Sequence, residues 1–420
     1  MTSFTRQDHR HNLILNIFHE FTWGFGIAFH TVYAIVPLFL KSLGAPDIII
    51  VSTAGLFAIL VAIPQLFSAL MGRNIKNIKR ASLLLHGLPI SVVFMMGTIY
   101  TFFIPSGSNA WLYFYTGFIG YALAIGYLLP IWVEFLEHAT LKEERGRFLG
   151  ISFALNSVGG FVGGLTVKWI LDSSIPFPQN FGIGFYIFFF SITIGSALFY
   201  WFRMKERRLD IPHKTVEQFI ADTKNIIAGH QNFQKYLLAR VFCTSTFPAM
   251  SLYAVYCQDK FGFEISEAGI FTVLNVVAGS GAAYLTGKLG DKYGHKSSII
   301  LSYSGHLTAV LLAIFSQSMM WVYGTFFFLG IGIGSFMPAS MNLVYDFAGN
   351  RDTKTYMALI DTILAPFVLL IIIASATLSS IFGPKSVLIS VAGMLIVGIL
   401  LLIFVVKDPG TKRQIERFSS

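Results

Sequence analysis

Twelve apolar stretches, each about long enough to cross a lipid bilayer, run along this chain, with lysines and arginines sorted almost entirely into alternate gaps between them. The first six are Leu13 to Leu40, Ile48 to Met71, Ala81 to Ile104, Trp111 to Leu136, Phe148 to Leu171 and Ile183 to Phe202. After a polar break come Tyr236 to Tyr256, Ala268 to Leu289, Ser298 to Phe315, Met320 to Leu343, Met357 to Ile381 and Val387 to Val406. A helix needs roughly 20 mainly apolar residues to cover about 30 Å of hydrocarbon, so the pattern predicts an all-α membrane protein with twelve transmembrane helices. No soluble fold class accommodates it.

Basic residues set the orientation, because Lys and Arg are retained on the cytoplasmic side during insertion. With a cytoplasmic N-terminus, that side holds Arg6, Arg10, the Arg73 to Arg80 cluster, Lys142, Arg145, Arg147 and the break from Arg203 to Arg240. It also holds Lys288, Lys292, Lys296, Arg351, Lys354 and the tail from Lys407 to Arg417; of 30 basic residues only Lys41, Lys168, Lys260 and Lys385 fall outside. Both termini are therefore expected in the cytoplasm. The net charge of +9 follows from loops that face anionic headgroups and requires no nucleic acid. The 55% hydrophobic content and 42 phenylalanines suit a chain whose solvent is the lipid bilayer. The first apolar run is too long for a cleavable signal peptide and lacks a small-residue cleavage site. Cys243 and Cys257 share one span, about 21 Å apart by helical rise, which excludes a bridge within that helix.

The break divides the chain into an N-terminal six-helix bundle (1–202), a cytoplasmic linker (203–235) and a C-terminal six-helix bundle with a short tail (236–420). In the linker Val216, Phe219, Ile220, Ile226 and Ile227 recur at helical spacing among charges, as in an amphipathic helix on a membrane surface. The halves repeat. One offset places Gly44 on Gly262 and Gly72 on Gly290, and a slightly different one places Glu137 on Asp346.

The loop Gly287-Lys288-Leu289-Gly290-Asp291-Lys292-Tyr293-Gly294-His295-Lys296 resembles the signature G-x-L-a-D-r-x-G-r-k of the major facilitator superfamily. Glycines permit the tight turn, Asp291 is placed to cap the next helix, and the lysines, Lys296 included, keep the loop cytoplasmic. The matching loop of the first half, Gly72-Arg73-Asn74-Ile75-Lys76, departs from the signature, with Arg73 where the acid belongs. Glu143 to Gly150, containing Arg145 and Arg147, and Asn232 to Arg240 resemble further segments of bacterial members. The resemblance implies two pseudo-symmetric bundles, alternating access, and a latching role for Asp291 near Arg145 and Arg147. It also implies a multi-pass protein, expected in a bacterial inner membrane as a monomer. Gly150, Gly159, Gly160, Gly163 and Gly164 on the fifth span have the spacing of close helix packing. Gly330 to Gly334 lies inside a span without a preceding strand, so it is no phosphate loop.

Ionisable residues inside spans are costly, roughly 2.5 to 3.5 kcal/mol at the centre on insertion scales, and mark candidate sites. Glu20 lies about 10 Å into the first span, beside His19 and on a face with Trp23, Ile27 and Thr31. Arg240 enters the seventh span to a similar depth. In the resembling fold these two spans face each other, so Arg240 is placed to pair with Glu20, to bind an anionic solute or to reach back to headgroups. Asp361, His30 and Glu134 complete the candidates for proton coupling or substrate contact. Expected cavity-lining residues are Trp23, Thr31, Tyr127, Trp132, Thr244, Thr246, Tyr253, Asn342 and Tyr345, a mixture suited to small amphipathic organic solutes.

No enzyme motif, metal set or cofactor-binding motif is present, and without a nucleotide-binding loop ATP is not the direct energy source. The expectation is a secondary transporter of a small-molecule substrate, coupled to protons. Within the same fold a multidrug or metabolite exporter is the alternative. A receptor or assembly protein that binds without moving solute is the competing class.

Overall fold

The computed structural model describes residues 4–72, 75–205, 226–227, 229–348 and 353–409. Most of the expected linker helix, Arg73, Arg351, the side chain of Lys354 and that of Asp291 lie outside what is described. Among the described residues the protein is helical, with no strand. The first half forms α1 (Arg6–Ile27), α2 (Ile35–Ser42), α3 (Asp47–Gly72), α4 (Ile78–Thr98), α5 (Ala110–Ala139), α6 (Arg145–Leu171) and α7 (Gln179–Ala197). The second forms α8 (Gln231–Cys243), α9 (Thr246–Phe261), α10 (Glu267–Tyr293), α11 (His295–Phe315), α12 (Met319–Ala348), α13 (Thr353–Phe382) and α14 (Pro384–Phe404).

Eleven helical segments among the described residues are long and apolar enough to cross a membrane. The stretch read as the seventh span is not among them because it is split into α8, of 13 residues, and α9, of 16. The first span is interrupted likewise, between Ile27 and Ile35. One cause serves both breaks. Pro37 and Pro248 are the third residues of α2 and α9, and each lacks the N–H that would bond four residues back, to Tyr33 or Thr244. At the first break Thr31 takes over, its Oγ1 accepting from the Ile35 amide at 3.1 Å and its carbonyl from Val36 at 3.0 Å. At the second, Thr244 closes α8 by donating its hydroxyl to the Val241 carbonyl at 2.7 Å.

Helix α1 is polar on its inner face. His9, Asn12, Asn16, His19, Glu20 and Trp23 are buried at helical spacing, while Ile14 and Phe18 on the opposite face are each 57% exposed. In water that arrangement would be unstable; in hydrocarbon the apolar face meets its natural solvent.

The chain forms two compact units. Unit 1 comprises Met1–Pro46, Leu56–Ile211 and Phe263–Val273; unit 2 comprises Asp47–Gly55, Pro212–Gly262 and Leu274–Ser420. Unit 1 is drawn together by glycine contacts between α1 and α6. A Cβ on Gly24 would overlap the Asn156 carbonyl, and Cβ atoms on Gly159 and Gly163 would overlap the carbonyls of Phe21 and Phe25. In unit 2, Gly330 and Gly334 of α12 approach the carbonyls of Asn275 and Gly279 on α10 in the same way. The glycine run Gly330 to Gly334 is thus a helix contact.

Both units fasten their last helix by the same device. Asn12 donates to the Arg203 carbonyl at 2.7 Å and accepts from the Arg203 amide at 2.9 Å. Asn232 does the same with Lys407, at 2.7 and 2.8 Å. Lys79 then reaches the Phe202 carbonyl at 3.0 Å, and Lys296 reaches those of Ile403 and Val406 at 3.0 and 2.8 Å. Gly44 and Gly262 also match, both left-handed, with φ of 76° and 63°. These correspondences extend the sequence repeat from glycines to hydrogen bonds.

In the signature loop Asp291 falls in the last turn of α10, and α11 starts from Gly294. Gly294, at φ 87°, makes the turn, and a Cβ there would overlap the Asp408 carboxylate. Gly290 is needed for space, since a Cβ would overlap the His295 ring; Gly287 has open space around it.

Candidate functional site

The interior of unit 1 contains a polar cluster on four helices. On α1 the Glu20 carboxylate is 4% exposed, and its Oε2 accepts a hydrogen bond from Nδ2 of Asn156, on α6, at 3.0 Å. His19 Nε2 lies 4.0 Å from Glu20 Oε1. The His19 ring packs edge-on to His86 of α4 with centroids 5.8 Å apart, and Trp23 meets the same His86 ring at 5.6 Å. His86 donates from Nδ1 to the Ser82 carbonyl at 2.7 Å, which fixes its tautomer. Around this core both side-chain polar atoms of Asn16, Nδ1 of His19, Nε1 of Trp23 and the hydroxyls of Ser82, Ser152 and Ser196 are buried without hydrogen-bond partners. Orphaned buried polar groups at this density are the sites that ordered water occupies in proteins.

His30 belongs to a different environment. It ends the short 3-10 turn after α1, and its ring is caged by Phe118 at 5.6 Å, Tyr121 at 4.7 Å, Phe114 at 6.0 Å and Phe188 at 6.2 Å. The cage provides faces and no carboxylate.

In unit 2 the buried charge is Arg240, 8% exposed on α8. Its Nη1 donates to the Tyr236 hydroxyl at 3.0 Å, and Phe336 of α12 lies under the guanidinium at 4.8 Å from Cζ. Nε has no partner, and Arg240 takes part in none of the ion pairs among the described residues. Asp361 stands on α13, which packs against α8, and is itself exposed. Glu20 and Arg240 stand equally far along the chain from Asn12 and Asn232, the clamp residues of their own units. Asn156 and Asp361 are likewise the neighbours supplied by the fifth and eleventh spans.

The remaining candidates divide by burial. Trp23, Thr31, Thr244, Thr246 and Tyr253 are buried within their units. Tyr127 is 39% and Tyr345 44% exposed, with Asn342 half-buried near the latter. Trp132 packs beside the apolar cluster of Ile131, Phe135, Phe199 and Phe202. Glu134 is half-buried, and its carbonyl accepts from His138 at 2.9 Å. Arg145 closes the turn from α5 to α6, donating from Nε to Thr140 Oγ1 at 3.2 Å and from Nη2 to the Glu137 carbonyl at 3.3 Å, whereas Arg147 is exposed. No group of three metal-ligating side chains occurs among the described residues. Sequence reasoning missed Asn156, Asn16 and His86, although Asn16 has a findable signal: it is one helical turn from Glu20 inside an apolar span.

The family profile of the Major Facilitator Superfamily matches residues 22–365 and again 236–419. Similar solved structures include the nucleoside transporter NupG, 10% identical with a TM-score of 0.73 over 93% of this chain and 99% of that one. A D-xylose-proton symporter is 14% identical, with a TM-score of 0.69 over 96% and 99% of the two chains. A peptide transporter of the POT type is 13% identical, with a TM-score of 0.69 over 93% of each. At these identities the likeness is one of fold. No curated protein sequence matches the chain.

Proposed function

The chain belongs to the major facilitator superfamily of multi-pass membrane transporters, and from that premise we propose that it moves a small organic solute by alternating access, coupled to a proton carried by Glu20. The two interrupted helical stretches at α1–α2 and α8–α9 support counting twelve spans in two six-helix bundles, 1–202 and 236–420, joined by the linker 203–235. The distribution of Lys and Arg supports cytoplasmic termini, and the segments Glu143 to Gly150 and Asn232 to Arg240, which resemble those of bacterial members, support a bacterial inner membrane. A monomer suffices for such a cycle, since each chain supplies both bundles.

One observation carries the coupling: Glu20 is buried in unit 1 with a neutral amide as its hydrogen-bond donor. An Asn N–H donates to a carboxylate and, more weakly, to the carbonyl oxygen of a carboxylic acid, so the site accommodates either protonation state without rearrangement. A permanent cation in that place would hold the charged form only. The orphaned polar groups around Glu20 give water a place to carry the proton. A proton crossing 100 mV releases about 2.3 kcal/mol, enough to bias an exchange cycle more than tenfold. The D-xylose-proton symporter of the same fold supports the class of energy source.

The test is uptake into proteoliposomes of purified protein with an imposed inward proton gradient, using labelled phenylalanine, D-xylose and uridine. Accumulation of one solute above its external concentration, collapsed by a protonophore, is the expected result. Binding without flux for all three would favour the receptor reading.

A further inference from the structure

We infer that the solute is a zwitterion, its carboxylate held by Arg240 and its ammonium by Asp361. This rests on the transport reading above and deepens it by naming the substrate class. Arg240 is nine-tenths buried, yet its Nη1 donates to a neutral phenol, and its Nε is unpartnered. A guanidinium taken out of water needs an anion with two acceptor oxygens, because a single neutral acceptor leaves most of its donors and all of its charge uncompensated. Asp361 stands on α13, which packs against α8, and forms no ion pair with Arg240, and it is exposed where Arg240 is buried. Opposite charges held near each other but out of contact are suited to a ligand that carries both signs.

The alternatives fit less well. A simple organic anion at Arg240 would meet the repulsion of Asp361, and a simple cation at Asp361 would leave Arg240 unsatisfied. A sugar would compensate neither. Phe336, half-buried with its ring 4.8 Å from the guanidinium, and Tyr303, 6.1 Å from Phe336 between ring centroids, add an apolar wall. An amphipathic zwitterion with an apolar body uses every one of these features.

Three probes of one shape separate the possibilities: L-phenylalanine, 3-phenylpropanoate, which lacks the amine, and phenethylamine, which lacks the carboxylate. Thermal shift on the full chain in detergent reads binding independently of flux. Wild-type protein is expected to bind phenylalanine about tenfold or more tightly than either single-charge analogue. Asp361→Asn should reverse the order of phenylalanine and 3-phenylpropanoate by removing the repulsion. Arg240→Gln should abolish binding of both carboxylates, and Arg240→Lys should retain weakened binding, which guards against a merely misfolded variant. Equal binding of all three probes, no shift with any of them, or an unchanged order in Asp361→Asn would overturn the zwitterion. Binding in this order without proteoliposome flux would leave the recognition standing and defeat the transport reading instead. Gradient-driven flux of a sugar or nucleoside alone would do the reverse.

Discussion

Units 1 and 2 use the same clamps and different centres. Asn12 and Asn232 bond the end of the last helix reciprocally, Lys79 and Lys296 bind carbonyls at that same end, and Gly44 and Gly262 share a left-handed turn. At the matching place along the chain, eight residues after each clamp, one unit has Glu20 bonded to Asn156 and the other has Arg240, with Asp361 on the neighbouring α13. The repeated parts are backbone devices, and any half that must stop a helix or anchor its last span needs them. The divergent parts are side chains whose only requirement is chemistry. On the function proposed above, the two halves take separate tasks, a proton in one and a charged solute in the other.

The strongest way to break the structural half of that comparison is to crowd the glycine contacts. Gly159→Leu should push α6 away from the Phe21 carbonyl and cost about 3 kcal/mol or more, and Gly334→Leu should do similar damage at α10. Loss of folded protein in fluorescence-detected size exclusion for both variants is expected. Tolerance of either would show that the close approach is not required.

Next in size are the clamps. Asn12 is fully buried and also donates to the Ala139 carbonyl at 2.9 Å, so Asn12→Ala leaves several backbone groups unsatisfied and should cost about 2 to 3 kcal/mol. Asn232 is more accessible, and Asn232→Ala should cost about 1 kcal/mol. Thermal denaturation in one detergent gives the order. A larger loss at Asn232 would mean that the two clamps are not equivalents differing only in burial.

The smallest effect sharpens a contrast. In unit 1, Lys168 of α6 holds Glu267 of α10 at 2.9 Å and Asp172 at 3.2 Å; in unit 2, Thr53 of α3 meets Ser251 of α9 by hydroxyls at 3.0 Å. The ion pair is partly exposed, so Glu267→Gln should change stability by about 1 kcal/mol or less, diminishing with salt. A larger, salt-independent loss would show the pair to be better shielded than its exposure indicates.

Much of this scaffold is legible in the sequence, because membrane spans need only length and hydropathy, and the signature loop marks one turn directly. The break in the seventh span was foreshadowed by Pro248, but proline inside α12 and α13 leaves those helices continuous, so proline alone does not locate an interruption. Hydropathy also does not tell interior from lipid. Ile14 and Phe18 read like core residues and are exposed, while Asn12 and Asn16 read like interruptions and are buried. The Glu20 to Asn156 bond joins residues far apart along the chain, and nothing local in either span announces it. The glycine at the turn before α11 is legible in the signature loop, and Gly294 makes that turn because it tolerates a positive φ.

The division of labour between the halves has a direct test: gradient-driven accumulation and solute counterflow, measured side by side for Glu20→Gln and Arg240→Gln, with the solute that wild-type protein accumulates. Glu20→Gln should lose accumulation and keep counterflow, because only the proton step is removed, whereas Arg240→Gln should lose both by a hundredfold or so in rate. Full accumulation by Glu20→Gln under a verified gradient, or counterflow preserved in Arg240→Gln, would contradict the assignment of the proton to one unit and the solute to the other.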